Sequence, residues 1–294
     1  MNTILLIGKT GQVGYELERA LAPLGQLVSP DRTELDLTSA DSIRRAVKTA
    51  QPDIIVNAGG FTIVDAAESD PDLAMQLNGA APGVLAESAA EIGALLIHYS
   101  TTFVFDGTKS TPYTEEDEPN PINAYGRSKL AGERAVMAAG GTSLILRASW
   151  VYSDRRTNFV LAMLKLARSK PELKVVDDQI GAPTWARDYA DATAALLANP
   201  ARLREAPGIY HLSAQSYCSR LQWAQRVIEG AKKYSGIAAG WAELLPTTTA
   251  LYPHPAPRPL YTATNNEKIE KAFGIKMPEW GQRVDEFMRT KSWP

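Results

Sequence analysis

The hydrophobic residues of the chain fall into short continuous runs that alternate with longer amphipathic stretches. A short apolar run is typical of a strand buried on both faces of a parallel sheet. Such runs predict strands at residues 4–7, 26–29, 53–57, 95–99, 143–147 and 208–212. Helical periodicity predicts helices at residues 15–24, 39–49, 72–92, 125–139, 158–169, 219–234, 265–273 and 279–290. It predicts one more helix, which follows residue 184 and ends at residue 198. This alternation predicts an α/β fold with a Rossmann-type, doubly wound parallel sheet and a smaller C-terminal α/β substrate-binding region.

Local signals predict how some of these elements begin, break and connect. Thr38 is a candidate N-cap of the second helix, with Asp41 in a capping-box position. Pro82 is expected to interrupt the long helix at residues 72–92. The proline-rich segment 246–259 is expected to form a loop over the functional site.

Composition and charge narrow the class of protein. The chain has 294 residues, of which 45% are hydrophobic and 22% charged, as in ordinary globular proteins. A formal net charge of −2 gives no case for nucleic acid or an anionic membrane as a partner. Cys218 is the only cysteine, which excludes an intramolecular disulfide. No apolar run reaches transmembrane length, and the first one is too short for a signal peptide, so we expect a cytoplasmic protein.

A glycine-rich loop, Gly8-Lys9-Thr10-Gly11-Gln12-Val13-Gly14, joins the first predicted strand to the first predicted helix. Its G-x-x-G-x-x-G spacing resembles the dinucleotide motif of short-chain dehydrogenases. Glycines there let the backbone turn tightly and approach a pyrophosphate at the N-terminus of the helix. The alternative interpretation is a plain βα turn. A dinucleotide-binding domain is therefore predicted in residues 1–147, to which some later segments return, with a mainly substrate-binding region in residues 148–294.

Further candidate contacts of a dinucleotide follow the next two predicted strands. Asp31 and Arg32 lie about twenty residues beyond the glycine loop, where an acid binds the ribose 2′-hydroxyl and an arginine a 2′-phosphate. Because both types are present, the sequence leaves NADH and NADPH open. Asp36 and Leu37 are candidates for the adenine edge, with a surface loop as the equal alternative. Small residues that would let the dinucleotide cross the end of the third strand are Ala58, Gly59 and Gly60.

The candidate chemistry centres on Tyr125-x-x-x-Lys129. In a helix this spacing puts both side chains on one face, and an ammonium beside a phenol lowers the pKa of the phenol toward neutral pH. Ser100 and Thr101 end the fourth predicted strand, at the edge of a parallel sheet where ligands bind. A hydroxyl there can polarise a substrate carbonyl for hydride transfer.

Taken together, these motifs resemble those of the dTDP-4-dehydrorhamnose reductases, extended short-chain dehydrogenases/reductases that act on a nucleotide sugar. The resemblance covers nearly the whole chain. It rests on residues 8–14, 62–65, 100–101, 104–107, 125–133, 149–152, 158–159, 178–184 and 258–259. The Asp178-Gln179-x-Gly181-x-Pro183-Thr184 segment separates this family from its relatives.

The resemblance implies reduction of the C4 ketone of dTDP-4-dehydro-β-L-rhamnose to dTDP-β-L-rhamnose with NADPH or NADH. This is the last step of dTDP-L-rhamnose synthesis for cell-surface polysaccharide. The implied roles are proton donation by Tyr125, binding of the nicotinamide ribose by Lys129 and positioning of the sugar by Thr101. The implied pyrophosphate contacts are Gly8, Thr10, Gly11, Gln12, Val13 and Gly14. The implied substrate contacts are Val64, Asp65, Ser100, Thr101, Trp150, Asn158, Gln179 and Arg258, with Trp150 as a pocket wall and Arg258 suited to a diphosphate.

The chain departs from the family pattern at several positions. Thr102-Phe103 stands where the family usually has Asp-Tyr, and Ala66 stands where a lysine is usual. Gly59-Gly60-Phe61 replaces Ala-Ala-Tyr or Ala-Ala-His. Glu16 matches an acidic position that holds Mg²⁺ in some members, but Arg187 occupies another. Because an arginine repels a divalent cation, no metal is expected.

Other functions remain open on the sequence alone. A nucleotide-sugar 4,6-dehydratase needs an acid–base pair that Thr102-Phe103 does not supply, whereas an epimerase needs little beyond Tyr125 and Lys129. A non-catalytic dinucleotide-binding regulatory subunit is a third possibility. The sequence leaves monomer and homodimer equally open.

Overall fold

The computed structural model describes residues 2–237, 239–290 and 293. Its strands, in chain order, are β1 (Asn2–Ile7), β2 (Gly25–Val28), β3 (Ile54–Asn57), β4 (Leu95–Thr101), β5 (Ser143–Ala148), β6 (Val151–Tyr152), β7 (Glu172–Val176), β8 (Ile180–Gly181), β9 (Thr184–Trp185), β10 (Gly208–Leu212), β11 (Cys218–Ser219) and β12 (Glu243–Thr247). Its helices are α1 (Gln12–Leu21), α2 (Ala40–Ala50), α3 (Val64–Ser69), α4 (Pro71–Met75), α5 (Ala81–Ile92), α6 (Ala124–Ala138), α7 (Phe159–Ser169), α8 (Ala186–Leu197), α9 (Pro200–Glu205), α10 (Arg220–Ser235), α11 (Glu267–Phe273) and α12 (Trp280–Arg289).

Six strands form one parallel sheet in the order β10-β5-β4-β3-β1-β2. The six strands predicted from hydrophobic runs are these six, which confirms the α/β, doubly wound fold. The chain leaves β1 on one side to form β2 and returns on the other side to form β3. The carboxyl ends of β1 and β3 therefore border the point where strand order reverses, which is where such sheets bind ligands.

Alternate residues of β1 face two helical layers. Ile4 and Leu6 pack in one core cluster with α1 and α8. Leu5 and Ile7 pack in another cluster with α2, α5 and α6. Because both faces are covered, the central strands are largely apolar, and their polar residues, such as His98, Ser100 and Arg147, are themselves buried.

Two helices begin elsewhere than the sequence indicated. The first begins at Gln12 rather than at residue 15, so the end of the glycine loop is already helical. The second is capped by Ser39, whose Oγ accepts the Ser42 N–H at 3.2 Å, so the prediction of Thr38 as N-cap is wrong. The Thr38 hydroxyl instead donates to the Asp36 carboxylate at 2.7 Å, which leaves the cap position to its neighbour.

The long helix predicted at residues 72–92 is broken just before Pro82. Helix α4 passes into a π turn, Gln76–Ala80, and α5 begins at Ala81. Proline has no N–H to bond the carbonyl four residues earlier, which here is that of Asn78. The wider π turn accommodates this, and the Asn78 carbonyl lies against Gly132 of α6, where an added Cβ would be 2.0 Å away.

The C-terminal half contains a second core built around Trp223 of α10, with α7, α12 and β7. Strand β12 pairs in parallel with β7, with Pro246 opposite Val175. The expected loop at residues 246–259 therefore starts within a strand, so the prediction is wrong for its first two residues. A proline is tolerated there because β12 has a partner on one side only. The division of the chain at residue 147 stays a prediction.

Among the described residues, no helix combines the length and the apolar character needed to span a membrane.

Candidate active site

The glycine loop closes tightly on the switch point of the sheet. Gly8 has φ of 90°, and a Cβ there would lie 2.7 Å from the backbone of Ala58. A Cβ on Gly14 would lie 2.0 Å from the Gly8 carbonyl oxygen. Gly11 is the N-cap of α1 and provides no side-chain acceptor for its first N–H groups. These groups are left for an anion, as a pyrophosphate site requires.

The two acidic candidates for the nucleoside bind their own turns. The Asp31 carboxylate accepts the Thr33 hydroxyl at 2.6 Å and the Thr33 N–H at 2.8 Å, and these bonds lower its pKa. Asp36 accepts the hydroxyl and the N–H of Thr38 in the same manner, with the same effect on its pKa. Beside them, Arg32 is exposed, and the Lys9 ammonium donates to the Ser29 carbonyl at the end of β2 at 2.6 Å. The end of β2 thus presents cations more freely than carboxylates.

The residues after β3 fit closely under the loop between β2 and α2. A Cβ on Gly59 would lie 2.9 Å from the Leu37 side chain, and one on Gly60 would lie 2.6 Å from Asn78 Oδ1. Asn57 Oδ1 accepts the Gly59 N–H at 3.0 Å and fixes this turn. The predicted contacts Ala58, Gly59, Gly60 and Leu37 are therefore brought together with the glycine loop.

Tyr125 and Lys129 lie on α6, as their spacing predicted. The helix is capped by Asn123, whose Oδ1 accepts the Gly126 N–H at 2.7 Å, while Glu68 accepts the Ala124 N–H at 2.7 Å. The Tyr125 side chain is half-buried, whereas Lys129 is only 5% exposed and its Nζ donates to the Tyr99 carbonyl on β4 at 2.5 Å. Both side chains are thus fixed at the end of β4.

The pKa of the Tyr125 phenol lies above its usual value because burial disfavours the phenolate, and hydrogen bonding to Thr101 acts in the opposite direction. The sequence indicated a lowered pKa through Lys129. Instead, burial lowers the pKa of Lys129 itself to about 8, although Glu133 acts against this. In this protein the phenol stays protonated at neutral pH, which suits a proton donor rather than a base.

Thr101 ends β4 and begins a short 3₁₀ turn. Its Oγ1 accepts the Phe103 N–H at 3.2 Å, so the hydroxyl hydrogen is left to donate toward the phenol. Phe103, at a position where the chain departs from the pattern of the family that it resembles, packs edge-on against Tyr125 with 6.0 Å between ring centroids.

Ser100 was predicted to contact the substrate, and this stays a prediction. Its hydroxyl donates to Glu133 Oε1 at 2.5 Å and the residue is 4% exposed. Glu133 also binds Arg147 of β5 through two bonds, at 2.9 and 2.7 Å. Adjacent strand residues point to opposite faces of the sheet, so Ser100 serves this buried ion pair while Thr101 faces Tyr125.

The candidate substrate residues of the C-terminal half surround a common region. Arg258 Nη2 donates to Asp65 Oδ2 of α3 at 2.8 Å, and the neighbouring Val64 is half-buried. Trp150 has φ of 35°, and its ring lies where a Cβ on Gly181 would be 2.4 Å away. Gln179 is 6% exposed and donates through Nε2 to Thr249 Oγ1 at 3.1 Å.

Asn158 was also expected to contact the substrate. In the structure it is the N-cap of α7, and its Oδ1 accepts the Leu161 N–H at 3.2 Å. Its Nδ2 donates to Gln12 Oε1 at 3.0 Å and to the Ser153 carbonyl at 2.8 Å. Asn158 therefore joins the glycine loop to α7, and its contact with the substrate stays a prediction.

Sequence reasoning missed Arg220, the first residue of α10. Its guanidinium lies 3.7 Å from the centre of the Trp150 ring. Burial and the charge of Arg258 lower its pKa to about 9. The available signal was its position directly after Ser219, which forms a capping box with Gln222, but no motif marked it.

The acid predicted to face a metal in some relatives is paired differently here. Glu16 Oε2 lies 3.4 Å from Arg187 Nε and 3.1 Å from Arg19 Nε. Two guanidinium groups thus compete with any cation for this carboxylate. That the chain binds no metal stays a prediction.

Comparison with known proteins agrees with the resemblance seen in the motifs. A family model described as the RmlD substrate binding domain matches residues 1–292. The dTDP-4-dehydrorhamnose reductase of Burkholderia thailandensis is 46% identical over 286 residues, which cover 96% of each chain.

Solved structures of related proteins also superpose on this chain. That of Bacillus anthracis dTDP-4-dehydrorhamnose reductase in complex with NADP superposes with a TM-score of 0.90 at 30% identity, covering 99% of both chains. Thermus thermophilus UDP-glucose 4-epimerase in complex with NAD gives a TM-score of 0.77 at 18% identity, covering 98% of this chain and 99% of that chain. At that identity the likeness shows the fold alone.

Proposed function

The chain belongs to the dTDP-4-dehydrorhamnose reductase family, and we propose that it reduces the C4 ketone of dTDP-4-dehydro-β-L-rhamnose to dTDP-β-L-rhamnose. The single observation that carries this assignment is the hydrogen bond between the Tyr125 phenol of α6 and Thr101 at the end of β4, the edge of the sheet where such folds bind ligands. The reaction is the last step of dTDP-L-rhamnose synthesis, which supplies cell-surface polysaccharide.

The chain's own residues fit a nicotinamide dinucleotide. The observation that tests the fit is the close packing of the backbone at Gly8 and Gly14, where a side chain at either position would collide with neighbouring backbone atoms. Gly11 and the first N–H groups of α1 would hold the pyrophosphate. Arg32 and Lys9, at the end of β2, would suit the 2′-phosphate of NADPH, because cationic side chains bind phosphate oxygens. When bound, the cofactor supplies the hydride for C4.

Tyr125 donates the proton that the reduced oxygen needs. A ketone that receives hydride at carbon becomes an alkoxide, and a phenol at hydrogen-bond distance neutralises it. Thr101 is suited to orient the carbonyl, because its Oγ1 accepts the Phe103 N–H and its hydroxyl hydrogen, which the Tyr125 phenol accepts in this structure, could be donated to the carbonyl once the substrate is bound. Lys129 holds its place through the Tyr99 carbonyl and carries the amino group that would contact the nicotinamide ribose.

The substrate would lie between Tyr125 and the wall formed by Trp150. Arg258 is suited to its diphosphate, since a guanidinium fork binds two oxygens at once. The enzyme acts in the cytoplasm as a monomer or a homodimer.

The test is loss of nicotinamide absorbance with purified protein, dTDP-4-dehydro-β-L-rhamnose, and NADPH or NADH in parallel. For wild type we expect turnover, with NADPH favoured over NADH. The Tyr125→Phe variant should lose about 10²- to 10⁴-fold in kcat, because it lacks the donated proton, with the dissociation constant of NADPH unchanged.

The matched control is Tyr234→Phe on α10, which removes a half-buried phenol outside the site and should retain wild-type turnover. Wild-type protein that binds NADPH and does not reduce this sugar would reject the proposal in favour of a regulatory subunit or another nucleotide sugar. Equal activity of the Tyr125→Phe variant would remove Tyr125 from its role.

A further inference from the structure

Three chain segments meet beside Trp150 and bring two arginines together. Strands β8 and β11 pair antiparallel, so Ser219 lies opposite Ile180. Ile180 donates its N–H to the Leu260 carbonyl at 2.7 Å, which places the segment after Arg258 on the other side. Arg220 directly follows β11, and its own N–H bonds the Gln179 carbonyl at 3.1 Å. Residues far apart in sequence thus form one wall of the site.

The Arg220 guanidinium lies over an aromatic ring and pairs with no carboxylate of the described residues. It lies 3.7 Å from the ring centre of Trp150, and Trp150 stacks in turn on Trp223 with 5.6 Å between centroids. Across residues 2–237, 239–290 and 293, no side-chain hydrogen bond or ion pair to this guanidinium is formed. A half-buried cation held flat on an aromatic ring, with its N–H edge unused, is arranged to receive acceptor oxygens.

The neighbouring Arg258, in contrast, has its positive charge paired with a carboxylate. Asp65 accepts from Arg258 Nη2 at 2.8 Å and also from the Ala256 N–H at 3.1 Å. The charge of Arg258 is therefore compensated within the protein, whereas that of Arg220 is not, although the two are close enough for Arg258 to lower the pKa of Arg220. His254 lies near both arginines. Burial and the charges of Arg258 and Arg220 lower the pKa of its imidazole, so His254 adds no third positive charge at neutral pH.

We propose that Arg220 is a second anion-binding arm of the site, which clamps the diphosphate of the nucleotide sugar together with Arg258. This inference rests on the proposed function, since it names the part of the substrate that Arg220 binds. Arg220 contributes the uncompensated charge, and its contact with the Trp150 ring restricts the positions that its planar fork can take. It is a binding residue for substrate and takes no part in transfer of hydride or proton.

The experiment titrates dTDP into the full-length protein by calorimetry and compares two variants of Arg220. Arg220→Met keeps an unbranched side chain against Trp150 and removes the charge. Arg220→Lys keeps the charge and loses the fork. We expect Arg220→Met to weaken dTDP binding about 10- to 100-fold and Arg220→Lys only a few-fold, because a charged hydrogen bond to phosphate is lost in the first and partly kept in the second.

Steady-state kinetics gives a second readout. In Arg220→Met the KM for the nucleotide sugar should rise by a similar factor, while kcat and the KM for NADPH stay near wild type. The control is Arg134→Gln, which removes an exposed guanidinium on α6 and should leave dTDP binding unchanged.

Each outcome decides the question. Binding of dTDP unchanged in Arg220→Met, or weakened equally in the Lys and Met variants, would overturn the inference and assign Arg220 to packing against Trp150. Folding of both variants is checked by their melting temperatures. Wild-type protein that binds dTDP without reducing the 4-keto sugar would reject the proposed function while leaving the binding comparison valid.

Discussion

Lys129 carries its amino group where solvent hardly reaches it. The residue is 5% exposed and its Nζ donates to the Tyr99 carbonyl. Burial lowers its pKa from 10.5 to about 8, which means that the folded protein holds the ammonium at a cost below that pH. Costs of this kind are common where a residue serves function rather than stability, as proposed for Lys129.

This cost predicts an unusual pH dependence. Between about pH 8 and 10.5 the folded amine has lost its proton while the unfolded one keeps it, so the stability of wild type should rise relative to Lys129→Met. The lowered pKa of Lys129 corresponds to a change in the free energy of unfolding of roughly 2–4 kcal/mol at most. Urea unfolding of both proteins at pH 7 and pH 10 measures the difference.

The control for this prediction is Lys165→Met on α7, which removes an exposed lysine. An exposed ammonium is solvated in both states, so its stability difference from wild type should not change over the same range. Parallel behaviour of the Lys129 and Lys165 variants would show that Lys129 is not desolvated.

At the scale of elements, the π turn between α4 and α5 connects the segment after β3 to α6. Asn78 sits in this turn and is fully buried. Its Oδ1 accepts the Phe61 N–H at 2.8 Å, and its Nδ2 donates to the Phe61 carbonyl at 2.9 Å and to Ser128 Oγ at 3.0 Å. One amide therefore fixes the segment after β3 against α6, close to Tyr125.

Asn78→Ala should lower the free energy of unfolding by about 2–4 kcal/mol, because it deletes these bonds and leaves a void at a buried position. The measurement is urea denaturation. Gln76→Ala in the same π turn is the matched control, since its amide makes a single bond to the Thr38 carbonyl near the surface. It should cost less than about 1 kcal/mol. Equal losses in the two variants would contradict the role given to Asn78.

At the scale of the molecule, the sheet is completed by late segments of the chain. Strand β10 pairs with β5, and α8 packs on α1. Tyr189 of α8 lies in the same core cluster as Leu17 and Leu21 of α1, and its hydroxyl donates to the Ser149 carbonyl at 2.9 Å. Residues 1–147 therefore contain the glycine loop and α1 but lack α8, the helix that packs on α1.

This arrangement predicts that a fragment of residues 1–147 does not fold alone. Without α8 and β10, apolar residues of α1 and β5 would be exposed, and the fragment should show no cooperative thermal transition and no affinity for NADPH. The full chain should melt cooperatively and be stabilised by NADPH. Circular dichroism with and without NADPH tests both. A fragment with a cooperative transition that shifts with NADPH would contradict the prediction.

Much of this could be predicted because the signals are local. The six sheet strands are continuous apolar runs, and the spacing of Tyr125 and Lys129 places both on one face of α6 wherever that helix lies. The positions of Gly8 and Gly14 follow from a backbone that leaves no space for a Cβ. Apart from the close approach of Gly8 to Ala58, these features depend on residues within a few positions of one another.

Partners of polar side chains depended on distant segments and could not be read in the same way. Ser100 and Thr101 are adjacent and chemically alike, but only the packing of α6 on the sheet gives one to Glu133 and the other to Tyr125. Asn158 meets Gln12 only because α7 docks on the glycine loop.

The sequence by itself determined the fold class, the dinucleotide loop and the Tyr125–Lys129 pair, since periodicity and backbone sterics act over short distances. Tertiary structure alone decided that burial raises the pKa of Tyr125, and that Arg220 stands uncompensated on Trp150 beside Arg258. The physical reason is that burial, electrostatic environment and hydrogen-bond partners depend on which remote segments come to lie together.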